Sequence, residues 1–127
     1  MKLWIDDVRP APEGYVWCKS VNETKGVIER SEARISEMMA VANERLHEHD
    51  LRAYQSILKI AGRRDIELLD IDHDAGDFAK DGGDYIKLLD WLEETGRNYP
   101  IHIHSQNPVG VQNMRRIIKR NGWKEVF

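Results

Sequence analysis

The chain has 127 residues, of which 41% are hydrophobic and 32% charged, with a formal net charge of −3. That length suits one domain and is short for two, and the apolar content is enough for a core, which excludes a disordered chain. The slight acidity excludes a global field that would draw in duplex DNA or an acidic membrane surface.

Lys2 to Ile5 is extended and apolar and stops at Asp6-Asp7 and the proline-rich VRPAPEG, which continues neither strand nor helix. No basic segment with an apolar run precedes this strand, and no apolar stretch reaches the length of a membrane span, so a cytoplasmic location is expected. Tyr15 to Cys18 predicts a second short strand, and Cys18, the single cysteine, reads as a core residue. Ser20 or Asn22 offers a cap to a helix over about 23–49, in which Ile28, Ile35, Met38, Met39, Ala42 and Leu46 recur at helical spacing. His49-Asp50 reads as a break. Asp50 then caps a second helix through Leu51, Tyr54, Ile57, Leu58 and Ala61 that stops at Gly62. Together they predict a helical hairpin over about 23–62, whose methionine-bearing stripe suits a core face or the seam of a homodimer.

Ile66 to Ile71 predicts a buried central strand ending at Asp72-His73-Asp74. The glycine- and aspartate-rich segment to Gly83 is a second acidic loop, and Asp84 starts an amphipathic helix through Ile86, Leu88, Leu89, Trp91 and Leu92 that ends near Gly96. After Pro100 the run Ile101-His102-Ile103-His104 alternates strictly, and Ser105-Gln106-Asn107-Pro108 breaks it. A helix over 109–119 closed by Gly122 and a last strand within Trp123 to Phe127 complete the chain. Strands alternating with helices predict an α/β fold with a mostly parallel sheet of five strands, covered by helices on both faces in three layers. Ligands of such sheets bind outside the carboxyl ends of the strands, where the loops carry Asp6-Asp7, Asp72-His73-Asp74 and His104-Ser105.

Two adjacent carboxylates repel unless a cation or proton lies between them, so Asp6-Asp7 points to Mg²⁺ or a similar ion; capping of the turn before Pro10 is the plainer alternative. Asp70, Asp72 and Asp74 add oxygens for a hard divalent cation, while His73 and His104 would shift the preference towards Mn, Fe or Zn. The spacing of Asp70, Asp72, Asp74 and Asp81 imitates a calcium loop, but Ala75 stands where glycine is required and a strand precedes it. His102 and His104 point to one side of their strand, and His104 stands at its end beside Ser105, where a ligand would sit. Asn107-Pro108 opens a helix whose free amides suit a phosphate, and Arg9 is a further anion contact.

Taken together, LWIDDVRPAPEGYVW, LDIDHDAGD with GGDYIKLLDWLEE, and IHIHSQNPVG resemble the cyclic-phosphate-processing receiver-like family, a branch of the flavodoxin-like receiver fold. The resemblance implies a five-stranded receiver-like domain; the helical region from about Thr24 to Arg64 departs from it, reads as an insertion, and has no role that the resemblance assigns. It also implies metal-assisted attack on a cyclic phosphate, a 2′,3′-cyclic phosphate at an RNA end or in a nucleotide. In it Asp6, Asp7 and Asp72 would hold the divalent ion, Mg or Mn. Asp74 or His104 would move the proton, and Arg9, Ser105 and Asn107 would hold the phosphate. Asp70, where a phospho-accepting receiver would place its acceptor, is set aside in favour of Asp72. The alternative is a non-catalytic or phospho-accepting regulatory module, for which Lys124 is the only candidate for the receiver lysine. A two-histidine phosphoesterase would need a second His-bearing strand of the same kind.

Overall fold

A computed structural model describes residues 1–45 and 51–127; Leu46 and the expected break and cap at His49-Asp50 lie outside the described residues. The elements are β1 (Lys2–Ile5), β2 (Tyr15–Cys18), α1 (Val21–Arg45), α2 (Leu51–Arg64), β3 (Leu68–Ile71), α3 (Ile86–Glu94), β4 (Ile101–Ile103) and α4 (Pro108–Asn121), with a 3₁₀ turn at Gly76–Lys80. The chain divides into two units, Met1–Gly26 with Ile66–Phe127, and Val27–Asp65. Among the described residues no helix is long and apolar enough to cross a membrane.

The first unit is built on a parallel sheet in the order β2-β1-β3-β4. The expected fifth strand is reduced to a single parallel bridge between Glu125 and Ile101, where the amide of Val126 donates to the carbonyl of Ile101 at 2.7 Å. Trp123, buried beside the chain's turn out of α4, and His102, whose Nδ1 meets the carbonyl of Val126 at 2.7 Å, hold the segment there without extending the ladder.

Strand alternation sorts the side chains. Leu3, Ile5, Cys18, Leu69, Ile71 and Ile101 share one face and are fully buried, together with Leu88, Leu89 and Leu92 of α3 and Met114 of α4. Lys2, Trp4, Tyr15, Trp17, Leu68, Asp70 and His102 share the other, where Asp70 alone is buried. The crossovers through α3 and α4 both advance away from β1, so right-handed connections put these helices on the first face. The return from β1 to β2 advances the other way and contains no helix. The three layers expected from the sequence are therefore two in this unit, because the connection that would supply the second helical layer is the proline-rich loop.

Local chemistry accounts for the helix ends. Ser20 caps α1 by accepting the amide of Glu23 at 3.0 Å, and Glu23 reaches back to the amide of Lys19 at 3.1 Å. Asn107 caps α4 through the amide of Gly110, Pro108 follows in the first turn, and Gly122 ends the helix at φ 66°. Two expectations fail. Asp84 does not start α3, which begins at Ile86: its carboxylate accepts the amide of Ala75 at 3.0 Å and braces the acidic loop. Nor does Gly62 stop α2, which runs on to Arg64. In the second unit Ala42 and Ala61 are buried, while Val41, Leu51, Leu58 and Ile60 remain exposed.

Candidate functional site

The register brings the site together. Ile5 pairs with Ile71 and Ile71 with Ile103, so the next residue of each strand, Asp6, Asp72 and His104, stands at one level on the carboxyl edge. The ladder's last bonds fix that level: the amide of Asp72 donates to the carbonyl of Ile5 and that of His104 to Ile71, both at 2.9 Å. One ligand atom from each of Asp6, Asp72 and His104 lies within 4.8 Å of the others.

Asp6 is fully buried. Its Oδ1 accepts the amides of Val8 and Arg9, each at 2.9 Å, and its Oδ2 meets Nε2 of His104 at 2.9 Å, with Nε of Arg9 at 3.9 Å. The indole of Trp17 donates to its carbonyl at 2.8 Å. Burial alone would raise the carboxyl pKa, but the amides of Arg9 and Val8 and the histidine outweigh it and hold Asp6 below its ordinary 3.8.

His104 lies between two carboxylates, Asp70 at 2.6 Å from Nδ1 and Asp6 at 2.9 Å from Nε2. A carboxylate accepts, so these two contacts favour the doubly protonated, charged ring. Burial would lower its pKa; the bonds to Asp70 and Asp6 reverse the sign and raise it above 6.5. Trp4 lies flat on the ring, with centroids 3.9 Å apart and planes 3° from parallel, an arrangement that favours the charged form.

Asp72 is 9% exposed and uses Oδ1 for the amide of His73 at 2.8 Å; among the described residues no hydrogen bond reaches its other oxygen. Asp7 lies over Gly76, whose φ of 54° and missing Cβ leave room for that carboxylate. Burial raises the pKa of Asp7, its own amide opposes this, and the negative charges of Asp6 and Asp72 raise it further. Tyr85, buried beneath, donates to the carbonyl of Lys19 at 2.7 Å; burial first, then the charges of Asp7, Asp6 and Asp72, keep its phenol protonated.

The other expected residues stand around this centre. Arg9 is exposed at the rim, with Nη1 3.3 Å from the carbonyl of His104. Asp74 is exposed and pairs with Nδ1 of His73 at 2.9 Å, and His73 packs against Gly110. Asp74 and His73 thus form a separate pair, outside the three gathered donors. The expected phosphate cradle is filled partly from within: Ser105 Oγ accepts the amide of Asn107 at 3.1 Å, and Asn107 Oδ1 accepts that of Gly110 at 3.0 Å. Lys124 lies at the level of Ile101, the end of β4 remote from His104.

As a metal centre the arrangement offers hard oxygens. The donor atoms gathered are those of Asp6, Asp72 and His104; while His104 bridges Asp70 and Asp6, the groups that could hold an ion are the carboxylates of Asp6 and Asp72, with Asp7 next to them in sequence, and such oxygens would suit Mg²⁺ or Mn²⁺. Crowding of Asp7 against Asp6 and Asp72 is the electrostatic condition that a divalent cation relieves. Sequence reasoning weighed Asp70 as an oxygen donor and set it aside, whereas here it holds His104, and it missed Trp4 and Trp17 as parts of this site. Asp70 carried a usable signal, since it shares a strand face with Asp72; the two tryptophans read as ordinary strand aromatics.

No curated protein and no solved structure matches the chain. A family model described as the cyclic-phosphate processing receiver domain matches residues 1–40 and 43–120, which takes in α3, α4, all four strands and most of the helical segment expected as an insertion. With a parallel sheet in receiver order and acids from β1 and β3 meeting at its carboxyl edge, the chain belongs to the cyclic-phosphate processing receiver domain family.

Proposed function

We propose that the domain is a metal-assisted phosphoesterase that opens cyclic phosphates, at a 2′,3′-cyclic RNA end or in a nucleotide. The observation that carries this reading is His104, held by Asp70 and Asp6 at the same level as Asp72. Opening a cyclic phosphodiester adds water to phosphorus, breaks one ribose P–O bond and returns a proton to the ribose oxygen. A positioned imidazolium supplies that proton. The leaving oxygen would replace Asp6 at Nε2, while Asp70 keeps the ring in place through Nδ1 and stabilises its charge. Of the two proton-moving residues expected, the geometry favours His104, because Asp74 is exposed and engaged with His73.

A divalent ion held by Asp6, Asp7 and Asp72 would polarise the phosphate and activate the water. Arg9, exposed at the rim, would meet phosphate oxygens, with Ser105 and Asn107 shaping the adjoining helix start. The phospho-accepting alternative gains little support, since Lys124 stands at the opposite end of β4. Nucleoside 2′,3′-cyclic phosphates incubated with the protein and a panel of divalent ions, beside Asp72→Ala, test the reading. Ion-dependent opening that is lost in the variant is expected; equal activity in both proteins, or none with any ion, overturns it.

A further inference from the structure

The sheet face left without a helix in the first unit carries an aromatic stripe that leads out of the site. It begins at Trp4, flat against His104, continues edge-on to Tyr15 with centroids 6.0 Å apart, and includes Trp17 in register beside Trp4. All three rings are partly exposed. The planes of the two indoles are fixed, because that of Trp4 donates to the carbonyl of Arg9 and that of Trp17 to the carbonyl of Asp6, both at 2.8 Å. Cations accompany the stripe: Nζ of Lys2 lies over the Tyr15 ring, 5.5 Å from its centre, and Nζ of Lys19 over that of Trp17 at 4.5 Å, long side chains that a stacking base would turn aside towards its phosphates, and Arg9 is exposed at the end next to the site.

We propose that this face is a stacking platform for the bases of a single-stranded oligonucleotide. Rigid aromatic rings bordered by lysines are what such a ligand requires, because bases stack on π-faces while their phosphates meet cations. A docking helix would look for branched aliphatic side chains, of which this face offers Leu68 alone. The slight overall negative charge is no obstacle, since the cations are gathered where the rings are. The platform deepens the phosphoesterase reading and rests on it for one point: that the strand's terminal cyclic phosphate enters the acidic edge while the preceding bases lie on Trp17 and Tyr15.

The test separates the two claims by using a 5′-fluorescent tetraadenylate with a plain 3′-hydroxyl, which needs no phosphate chemistry. Anisotropy and tryptophan quenching report its binding to the full chain. Wild type is expected to bind with quenching, Tyr15→Ala and the surface pair Lys2→Glu with Lys19→Glu each to bind about tenfold more weakly, and Asp72→Ala to bind as wild type does. The charge pair keeps the test open if the tyrosine variant does not fold. Binding without any opening of cyclic phosphates would keep the platform and remove the phosphoesterase. Opening of cyclic mononucleotides with no oligonucleotide binding, or with binding unchanged in the charge pair, would remove the platform and keep the enzyme.

Discussion

Asp70 holds His104 from the neighbouring strand through a 2.6 Å bond to Nδ1, so a buried acid two residues short of the sheet edge orients the group at the edge itself. Asp70→Asn preserves the shape and removes the charge. The titration midpoint of His104, followed by the ring-proton NMR signals, is expected to fall towards its ordinary 6.5, and the loss of a charged buried bond is expected to cost about 1–3 kcal/mol. An unchanged midpoint would mean that Asp6 alone sets the charge of the ring.

The paired shifts give stability a definite pH dependence. His104 titrates above 6.5 in the folded protein, so its contribution is complete below pH 6.5 and is lost as pH rises through the raised value. Asp6 titrates below 3.8, so its contribution is complete above 3.8 and is lost as pH falls through the lowered value. Asp7, raised above 3.8, acts in the opposite sense and is relieved of unfavourable charge on acidification. The urea midpoint in chelator is expected to be highest between these limits, and His104→Gln is expected to flatten the decline on the alkaline side.

Gly76 and Gly14 both have positive φ, 54° and 85°, but only at Gly76 would a Cβ meet the Asp7 carboxylate. Gly14→Ala then carries backbone strain alone, whereas Gly76→Ala carries strain and a displaced acid. Both are expected to lose about 1 kcal/mol or more, with Gly76→Ala the costlier, and only Gly76→Ala is expected to weaken Mn²⁺ binding by calorimetry.

Trp4→Leu removes the ring that lies on His104 and the bond to Arg9. A partly exposed indole is expected to be worth about 2 kcal/mol, less than a core tryptophan, as read by urea denaturation. The midpoint of His104 is also expected to fall, because the face of the indole favours the charged ring. A stability loss without that fall would assign Trp4 to packing alone.

Much of this architecture was legible in the residues. The stops at Asp6, Asp72 and His104 are abrupt because acids, glycines and prolines follow short apolar runs, and Asn107, Pro108 and Gly122 announce both ends of α4. Less could be read where the outcome depends on register or on competing partners. Trp123 to Phe127 has strand-like composition, yet Gly122 and the anchoring of Trp123 leave only one rung beside Ile101. Asp84 looks like the start of α3, which begins instead at Ile86, while the amide of Ala75, nine residues earlier, takes its carboxylate. Asp70 was set aside because the family resemblance points to Asp72; its role is visible only once the alignment of Ile71 with Ile103 brings His104, on the next strand, alongside it. The missing helical layer was there to be read, since the proline-rich loop leaves the connection from β1 to β2 without a helix.

The most direct measurement is the turnover of a nucleoside 2′,3′-cyclic phosphate by wild type and by His104→Gln, at equal concentrations of folded protein and saturating Mg²⁺ or Mn²⁺. A charged histidine that delivers the ribose proton calls for a drop of about 100-fold or more in the variant, with substrate binding largely kept. Equal turnover by the two proteins would contradict it.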